Sequence, residues 1–209
     1  IKRNKEFGMD DRRQLHLIDY TKGTITLNGV EYPLKDTNFP TIDPSDPYKL
    51  TQDEKDLVND LMHNFMHSEI LRKHMRCIYA NGSLYLVRNS NLLYHGSVPL
   101  NPDGSFKNVM IRGKEYAGKK LFDKVDQIIR QAYFEEVMSK EKRYCLDFMW
   151  YLWCGPSSPP FDKERMATFE RYFIADKETH KEKKGDYYYL KDNKEICLKI
   201  LKEFGIEDE

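Results

Sequence analysis

The sequence lacks a long hydrophobic run and a cysteine framework. No apolar stretch in the 209 residues approaches the roughly 18 residues that a membrane-spanning helix needs, and the first ten residues contain no signal-peptide core. We therefore expect a cytoplasmic protein without a membrane partner. The cysteines are scattered and form no Cys-x-x-Cys pair, which predicts reduced thiols rather than disulfides. They are Cys77, Cys145, Cys154 and Cys197.

A net charge is also lacking, because 34 basic residues are balanced by 34 acidic ones. A nucleic-acid-binding protein would normally show a basic excess, and so would a protein held on an anionic membrane surface, so we predict neither partner. What the chain does have is aromatic side chains, 13% of all residues, and 33% charged residues. Aromatic residues bury large areas, which predicts a folded domain with a modest core and a charged surface.

The hydrophobic periodicity predicts an α+β fold, mostly helical, with small β elements. Asn28-Gly29, flanked by β-branched residues, predicts a β-hairpin over residues 24–32, and several prolines predict an irregular segment up to residue 49. The capping box Thr51-x-x-Glu54 opens a helix whose apolar stripe continues to about Tyr79. Two short strands follow, over residues 83–87 and 92–94.

Apolar residues at helical spacing predict further helices in the second half of the chain. Their apolar positions indicate residues 121–137, 144–153 and 162–175, and a second capping box at Asp192-x-x-Glu195 predicts the start of a last helix that ends at Gly205. We group the chain into three consecutive segments. These are residues 1–50, the hairpin and irregular segment; residues 51–110, the long helix and the strands; and residues 111–209, a helical insert or cap.

Familiar catalytic motifs are absent from the sequence. It contains no phosphate-binding Gly-rich loop, no nucleophile elbow and no His-Glu-x-x-His. His63 and His67 are four residues apart on the long helix and could share a metal. A zinc protease would need Glu at position 64, where this chain has Asn, and the nearby Phe65 and Met66 are expected to be ordinary core residues, so a metal site is the weaker interpretation. His95 directly follows a short strand and precedes Gly96, which is a suitable place for a metal ligand, although a lone histidine is more often structural.

Basic residues cluster near the end of the chain. The segment 176–184 mixes both charge signs, which is typical of a solvated, ion-paired surface. The alternative is an anion site in which arginine supplies two parallel donors and lysine a point charge to a phosphate group. The residues concerned are Arg171, His180, Lys181, Lys183 and Lys184.

Several long strings resemble class III fructose-1,6-bisphosphatases of the calcineurin-like metallophosphoesterase superfamily. The strings are Asn91–Leu100, Trp150–Gly155, Thr168–Ile174 and Asp176–Lys184. Together with the N-terminal hairpin and His67-Ser68-Glu69, the resemblance covers nearly the whole chain. It implies a cytoplasmic, manganese-dependent hydrolase of gluconeogenesis that removes the 1-phosphate of fructose 1,6-bisphosphate, and a β-sandwich core to which residues 83–95 contribute two strands.

The resemblance also implies where the metal is held. The family takes its ligands from five motifs, of which only the single histidine after a strand matches here, at His95. The other motifs would fall before Ile1 and after Glu209, so the chain resembles a middle segment that is inactive by itself, and we expect no catalytic residue within it. The five basic residues named above are our prediction for binding the non-reacting phosphate.

A second interpretation belongs to a different class of function. The segment could be a non-catalytic helical cap or an oligomerisation module, because the aromatic helix around Trp150 and Trp153 is suited to anchoring an interface between copies. The two interpretations are compatible if the segment caps or joins catalytic domains. Either one predicts exposed strand edges at residues 83–95, or pairing of these strands with another chain.

Overall fold

A computed structural model describes residues 3–206 of the chain. Its helices are α1 (Gln52–His67), α2 (Glu69–Asn81), α3 (Gly118–Phe134), α4 (Lys140–Cys154), α5 (Thr168–Phe173), α6 (Tyr187–Leu190) and α7 (Lys194–Glu203). Its strands are β1 (Ile18–Asp19), β2 (Thr24–Leu27), β3 (Val30–Pro33), β4 (Tyr85–Arg88), β5 (Asn91–Tyr94), β6 (Val109–Ile111) and β7 (Lys114–Tyr116). The α+β prediction is confirmed, since these helices accompany small antiparallel sheets of two or three strands.

The chain forms two compact units, and both are discontinuous in sequence. One, here called the hairpin unit, contains residues 11–78 and 167–181; the other, the helical unit, contains residues 3–10, 79–166 and 182–206. The three consecutive segments proposed from the sequence do not coincide with these units. Sequence patterns group neighbouring residues, whereas each unit here joins segments that are far apart along the chain.

The hairpin unit is built on the antiparallel sheet β1-β2-β3. The predicted hairpin is confirmed: β2 pairs with β3, and both residues of the Asn28-Gly29 turn have positive φ, as a type I′ turn requires. Ile25 is fully buried and packs with Ile18 and Ile174 in a small apolar core. This core stabilises the sheet from one side.

The helical unit has the larger core, formed mainly between α3 and α4. α3 contributes apolar side chains at helical spacing, among them Leu121, Val125 and Ile128, and α4 buries Phe148 and Leu152 against them. A second cluster packs around residues of α3, α7 and the segment after β5. Its buried members are Val98, Leu100, Phe122, Ile200 and Phe204.

The long helix predicted from Thr51 to Tyr79 is wrong in two respects: it is two helices, and Phe65 and Met66, expected in the core, are 65% and 72% exposed. Thr51 and Glu54 form the predicted capping box of α1, and α2 ends at Asn81 as expected. Between the helices, Ser68 has an extended ψ of 107°, and its hydroxyl accepts a hydrogen bond from the Leu71 amide at 3.3 Å. Ser68 therefore stops α1 and caps α2, although the apolar pattern continues through it.

The helix predicted over residues 162–175 is also wrong over its first half. Asp162 has a φ of +41°, which a helix does not admit, and Lys163 forms an antiparallel bridge with Lys184. The Glu164 amide donates to the Lys183 carbonyl at 3.0 Å, so this backbone is paired with a distant segment and only α5 remains helical.

Two smaller features differ from the sequence prediction. The last helix is capped by Asn193, whose side chain accepts from the amides of Glu195 and Ile196, rather than by a box at Asp192. The hairpin β6–β7 was not predicted, because its strands have three residues each and its turn, Arg112-Gly113, is followed by two charged residues.

The cysteines are free thiols, as predicted. Within residues 3–206, no helix combines the length and the apolar character that crossing a membrane would require.

Candidate functional site

His95 stands at the end of the two-stranded sheet β4–β5. The strands pair in register from Tyr85 with Tyr94 to Arg88 with Asn91, and the residues between them, Asn89 and Ser90, both adopt positive φ in a tight turn. His95 follows β5 directly, and its side chain is exposed. The prediction that a histidine emerges where this strand ends is therefore confirmed.

The backbone after His95 is held tightly against the loop that follows α4. Gly96 has a φ of +91°, and a Cβ there would collide with the carbonyl oxygen of Pro159. The amide of Ser97 donates to the same carbonyl at 2.8 Å, and Ser97 and Val98 are fully buried. The result is an exposed imidazole on a backbone that has little freedom to move.

The loop after α4 is itself fixed by hydrogen bonds to that helix. The Ser158 hydroxyl donates to the Leu152 carbonyl at 2.7 Å, and the Tyr151 hydroxyl donates to the Pro156 carbonyl at 2.8 Å. Ser158 is fully buried. The Gly-Pro-Ser-Ser-Pro-Pro string that ends α4 therefore forms a rigid support beneath the residues that follow His95.

An open cavity of about 520 Å³ lies beside His95 in the helical unit. The β4–β5 strands and the end of α2 line it with mainly apolar side chains. The lining residues are Asn81, Gly82, Ser83, Leu84, Tyr85, Leu86, Leu93, Tyr94, His95 and Pro160. His95 is the one histidine among these lining residues.

Arg130 holds the chain at the end of α2, next to this cavity. Its guanidinium donates to the carbonyls of Tyr79, Ala80 and Gly82 at 2.6, 3.2 and 2.8 Å. A cation at a helix C-terminus satisfies carbonyls that have no partner in the helix and interacts favourably with the helix dipole. Arg130 thus fixes the segment that leads from α2 into β4.

Asp162 is a buried carboxylate beneath the His95 segment, and sequence reasoning missed it. It is 2% exposed, and its Oδ2 atom has no hydrogen-bond partner within the described residues. Burial raises the pKa of Asp162, which a contact with the Ser97 side chain and the charge of Lys107 partly oppose. A carboxyl two residues after a Pro-Pro pair carries no recognisable signal, because its burial depends on residues distant in sequence.

The described residues do not form a complete metal centre. No group of three or more histidine, cysteine, aspartate or glutamate side chains between residues 3 and 206 is arranged to hold a metal ion. His63 and His67 stack at a ring-centroid distance of 4.0 Å, and the His67 ring contacts the His63 carbonyl through Nδ1 at 2.8 Å. His95 alone is one ligand, so no reaction step through a metal can be built from these residues.

The five basic residues predicted to bind a phosphate fall in both units. In the hairpin unit, Arg171 contacts the His180 carbonyl at 3.5 Å, the His180 ring contacts the Ile174 carbonyl at 2.9 Å, and Lys181 pairs with Glu178.

In the helical unit, Lys183 pairs with Glu164 at 2.8 Å, and the Lys184 ammonium lies over the Tyr188 ring at 5.2 Å. The hydrogen bond that the Lys183 ammonium donates to Glu164 raises the pKa of Lys183. The phosphate site stays a prediction.

Comparison with known proteins gives a match along the whole length of the chain. The family model described as Firmicute fructose-1,6-bisphosphatase matches residues 1–209. The chain belongs to this family. Its relatives include class 3 fructose-1,6-bisphosphatases, as they are named, from Bacteroides fragilis (60% identical over 206 residues), Clostridium novyi (55% over 207) and Porphyromonas gingivalis (53% over 207).

These alignments cover 99% of this chain but only 31 to 32% of each relative. The chain therefore spans about a third of the length of the curated relatives it matches. No solved structure shows a significant match. The resemblance noted from the sequence strings is confirmed at the level of the family.

Proposed function

We propose that this chain is part of an enzyme that hydrolyses fructose 1,6-bisphosphate and releases its 1-phosphate as inorganic phosphate. The support is the family match over all 209 residues, together with relatives named as fructose-1,6-bisphosphatases at 53 to 60% identity. Because the chain covers about a third of those relatives, the activity is proposed for the longer protein. The 209 residues alone are expected to be inactive.

The placement of His95 is the observation that carries this proposal. Its imidazole is exposed and lies on the rim of a cavity, and the backbone beside it is held by the hydrogen bond from the Ser97 amide to the Pro159 carbonyl. An imidazole on a backbone held in this way is a suitable metal ligand, because little backbone conformational entropy is lost when it binds. We propose that His95 supplies one ligand to a manganese centre whose other ligands come from outside these 209 residues.

The β4–β5 sheet supports the proposal that the strands belong to a larger sandwich. Within residues 3–206 these strands pair only with each other, and Leu86 and Leu93 are about half exposed. An isolated two-stranded sheet is marginally stable in water, and exposed leucines on it favour covering by further structure. Each strand therefore has one edge without a strand partner among the described residues, and we propose that the longer protein covers these edges.

We also propose that the basic residues around segment 176–184 contact the phosphate that is not hydrolysed. The pairs Lys181–Glu178 and Lys183–Glu164 are exposed on both sides, so each contributes little to stability and can be exchanged for a phosphate. Arg171 and His180 belong to the same proposal, and so does Lys184. The support is charge type and exposure.

A segment exchange tests the proposal. This chain would replace the matching 206-residue segment of the Bacteroides fragilis relative, and phosphate release from fructose 1,6-bisphosphate would be measured with added manganese. We expect the chimera to be active and His95→Ala to reduce its kcat by at least ~1000-fold, because one ligand of the proposed centre is lost. The chain alone should release no phosphate.

His63→Ala is the matched control, since His63 is an exposed histidine on α1 outside the proposed site. It should leave activity within about twofold of the chimera. Bound manganese, measured by elemental analysis, should fall in His95→Ala and not in His63→Ala. If the His95→Ala chimera is folded, binds metal and retains full activity, His95 is not a ligand of the metal centre.

A second candidate is a non-catalytic module for contacts between subunits. Trp150 and Trp153 stack with their rings nearly parallel, at a centroid distance of 5.1 Å, and they are 51% and 64% exposed. Exposed stacked tryptophans are typical interface anchors. Trp153→Ala should dissociate an oligomer if this candidate is correct, and gel filtration of the chain with and without the substitution measures the effect.

A further inference from the structure

The helices α1 and α2 present an uncovered apolar face. Neither helix buries a single residue. The exposed side chains of α1 recur at spacings of one, three and four residues, which places them on one side of the helix. They are Leu57, Val58, Leu61, Met62, Phe65 and Met66. On α2, Ile70 and Ile78 are 70% and 57% exposed.

This face is larger than most monomeric proteins expose. Eight large apolar side chains that are about half exposed or more present on the order of 800 Å² per copy, which is the area that each partner buries in a standard interface. The largest apolar patch on a typical monomer is roughly 300–600 Å². The face is therefore large enough for a stable interface.

The apolar pattern is symmetric about Ser68, the residue between the two helices. Residues at equal sequence distances before and after Ser68 are both apolar at four separations. The pairs are Met66 and Ile70, Phe65 and Leu71, Leu61 and Met75, and Val58 and Ile78. When two copies pack antiparallel about a two-fold axis near Ser68, α1 of one copy faces α2 of the other, and these positions meet across the interface.

The charges of the two helices favour the same arrangement. α1 carries four carboxylates and one lysine, whereas α2 carries one carboxylate and three basic residues. Antiparallel packing places the acidic helix of each copy beside the basic helix of the other, while parallel packing places like charges together. Most of these charged side chains lie on the sides of the helices away from the centre of the apolar face. The charges therefore set the orientation of the two copies, and burial of the apolar face supplies the affinity.

A groove lies at the break between the two helices. It has a volume of about 260 Å³ and is lined by Asn64, Phe65, Ser68 and Leu71. Because it lies at the centre of the symmetric pattern, it is the place where two Phe65 side chains and two Leu71 side chains would meet. Aromatic anchors in central pockets contribute most of the energy of many interfaces.

We propose that α1 and α2 form a two-fold interface with a second copy of this chain. In this interface, Phe65 of each copy packs into the groove beside Leu71 of the other. The proposal is independent of the proposed catalytic function, since none of the residues assigned to the phosphatase site lies on these helices.

Sedimentation equilibrium of the 209-residue chain tests the proposal. We expect twice the monomer mass at micromolar concentrations. Phe65→Asp should raise the dissociation constant at least ~30-fold, as loss of an interface anchor does. Val137→Asp is the matched control, since Val137 is 72% exposed, compared with 65% for Phe65, and lies outside α1 and α2. The control should leave the dimer intact, and far-UV circular dichroism checks that each variant is folded.

Cross-linking tests the antiparallel orientation. In a chain in which Cys77 and Cys197 are changed to serine, Met62→Cys and His74→Cys are made separately. These positions are equally distant from Ser68 on its two sides. Mixing the two variants under mild oxidation should give a covalent dimer of the mixed kind, and each variant alone should give much less.

Four outcomes would overturn the proposal. A chain that is monomeric at every concentration shows that other structure covers this face, and a dimer that survives Phe65→Asp shows that the copies meet elsewhere. Dissociation by Trp153→Asp alone assigns the interface to the tryptophans of α4. Strong cross-linking of Met62→Cys with itself shows parallel packing.

Discussion

The carbonyl oxygen of Pro159 lies where a side chain on Gly96 would have to be. The same carbonyl accepts a hydrogen bond from the Ser97 amide at 2.8 Å, so it cannot move away without breaking that bond. Gly96 has a φ of +91°, which adds backbone strain for any residue with a Cβ. This contact is what connects the position of His95 to the loop that follows α4.

We expect Gly96→Ala to lower the free energy of unfolding by about 3–4 kcal/mol, through strain and steric overlap together. Gly113→Ala is the matched control, because Gly113 also has a positive φ but no atom within 4 Å of an added Cβ. It should cost only about 1 kcal/mol. Urea unfolding measures both. Equal losses for the two variants would show that Pro159 adjusts freely.

Arg130 is expected to hold the cavity wall at the end of α2. Arg130→Met keeps the apolar stem and removes the donors to three carbonyls, so it should cost about 2 kcal/mol of stability. Hydrogen exchange should also speed up at the amides of residues 79–84. Lys124→Met on the same helix removes one long hydrogen bond and should cost less than about 0.5 kcal/mol. An equally small loss at Arg130 would contradict this role.

Asp162 should give the protein a distinctive pH dependence. Burial raises the pKa of this carboxyl in the folded state above its unfolded value of about 3.9. The folded state therefore binds its proton more tightly, and the resulting stability is complete at low pH and is lost as the pH rises through the folded pKa. Asp162→Asn removes this loss, so the variant should gain stability relative to the wild type between pH 4 and pH 7.

Asp103→Asn provides a control of opposite sign. Hydrogen bonds from Ser105 lower the pKa of Asp103, so its contribution is present above the unfolded pKa and is lost as the pH falls. Its asparagine variant should lose stability relative to the wild type as the pH rises through the acidic range to about pH 5, and the difference should then stay constant up to about pH 7. Urea titrations at several pH values measure both differences. If the two variants shift in the same direction, the burial of Asp162 does not control its ionisation.

The sequence predicted those parts of the fold that depend on neighbouring residues. Asn28-Gly29 fixed the first hairpin by its turn chemistry, and apolar residues at helical spacing predicted α3 and α4. His95 was found because it follows a strand and precedes a glycine. In each case the signal lies within a short window, where local propensity and burial agree.

The features that were missed depend on contacts between distant residues. Segment 162–167 contains helix-forming residues, but Lys163 pairs with Lys184 and the backbone is extended there. The burial of Asp162 follows from the same pairing, since the Gly185 amide donates to the Asp162 carbonyl at 2.7 Å. The break at Ser68 was missed for another reason: a capping serine inside a continuous apolar pattern looks like an ordinary helical residue.

The phosphate role of Lys183 can be tested in the chimera described above. Lys183 and Lys191 are both exposed, and each forms an ion pair with one carboxylate, Glu164 and Asp192 respectively, so they differ mainly in position. If Lys183 contacts the non-reacting phosphate, Lys183→Ala should raise KM for fructose 1,6-bisphosphate roughly tenfold with kcat changed little, because a charge-assisted contact to bound substrate is lost.

Lys191→Ala should leave KM within about twofold of the chimera. Glu164→Gln offers a further check, because it frees Lys183 from its ion pair and should lower KM if the lysine exchanges its carboxylate for phosphate. The effect should weaken at high salt, as expected for exposed charges. An unchanged KM in both Lys183→Ala and Glu164→Gln would place the non-reacting phosphate away from Lys183 and leave that lysine as part of a surface ion pair.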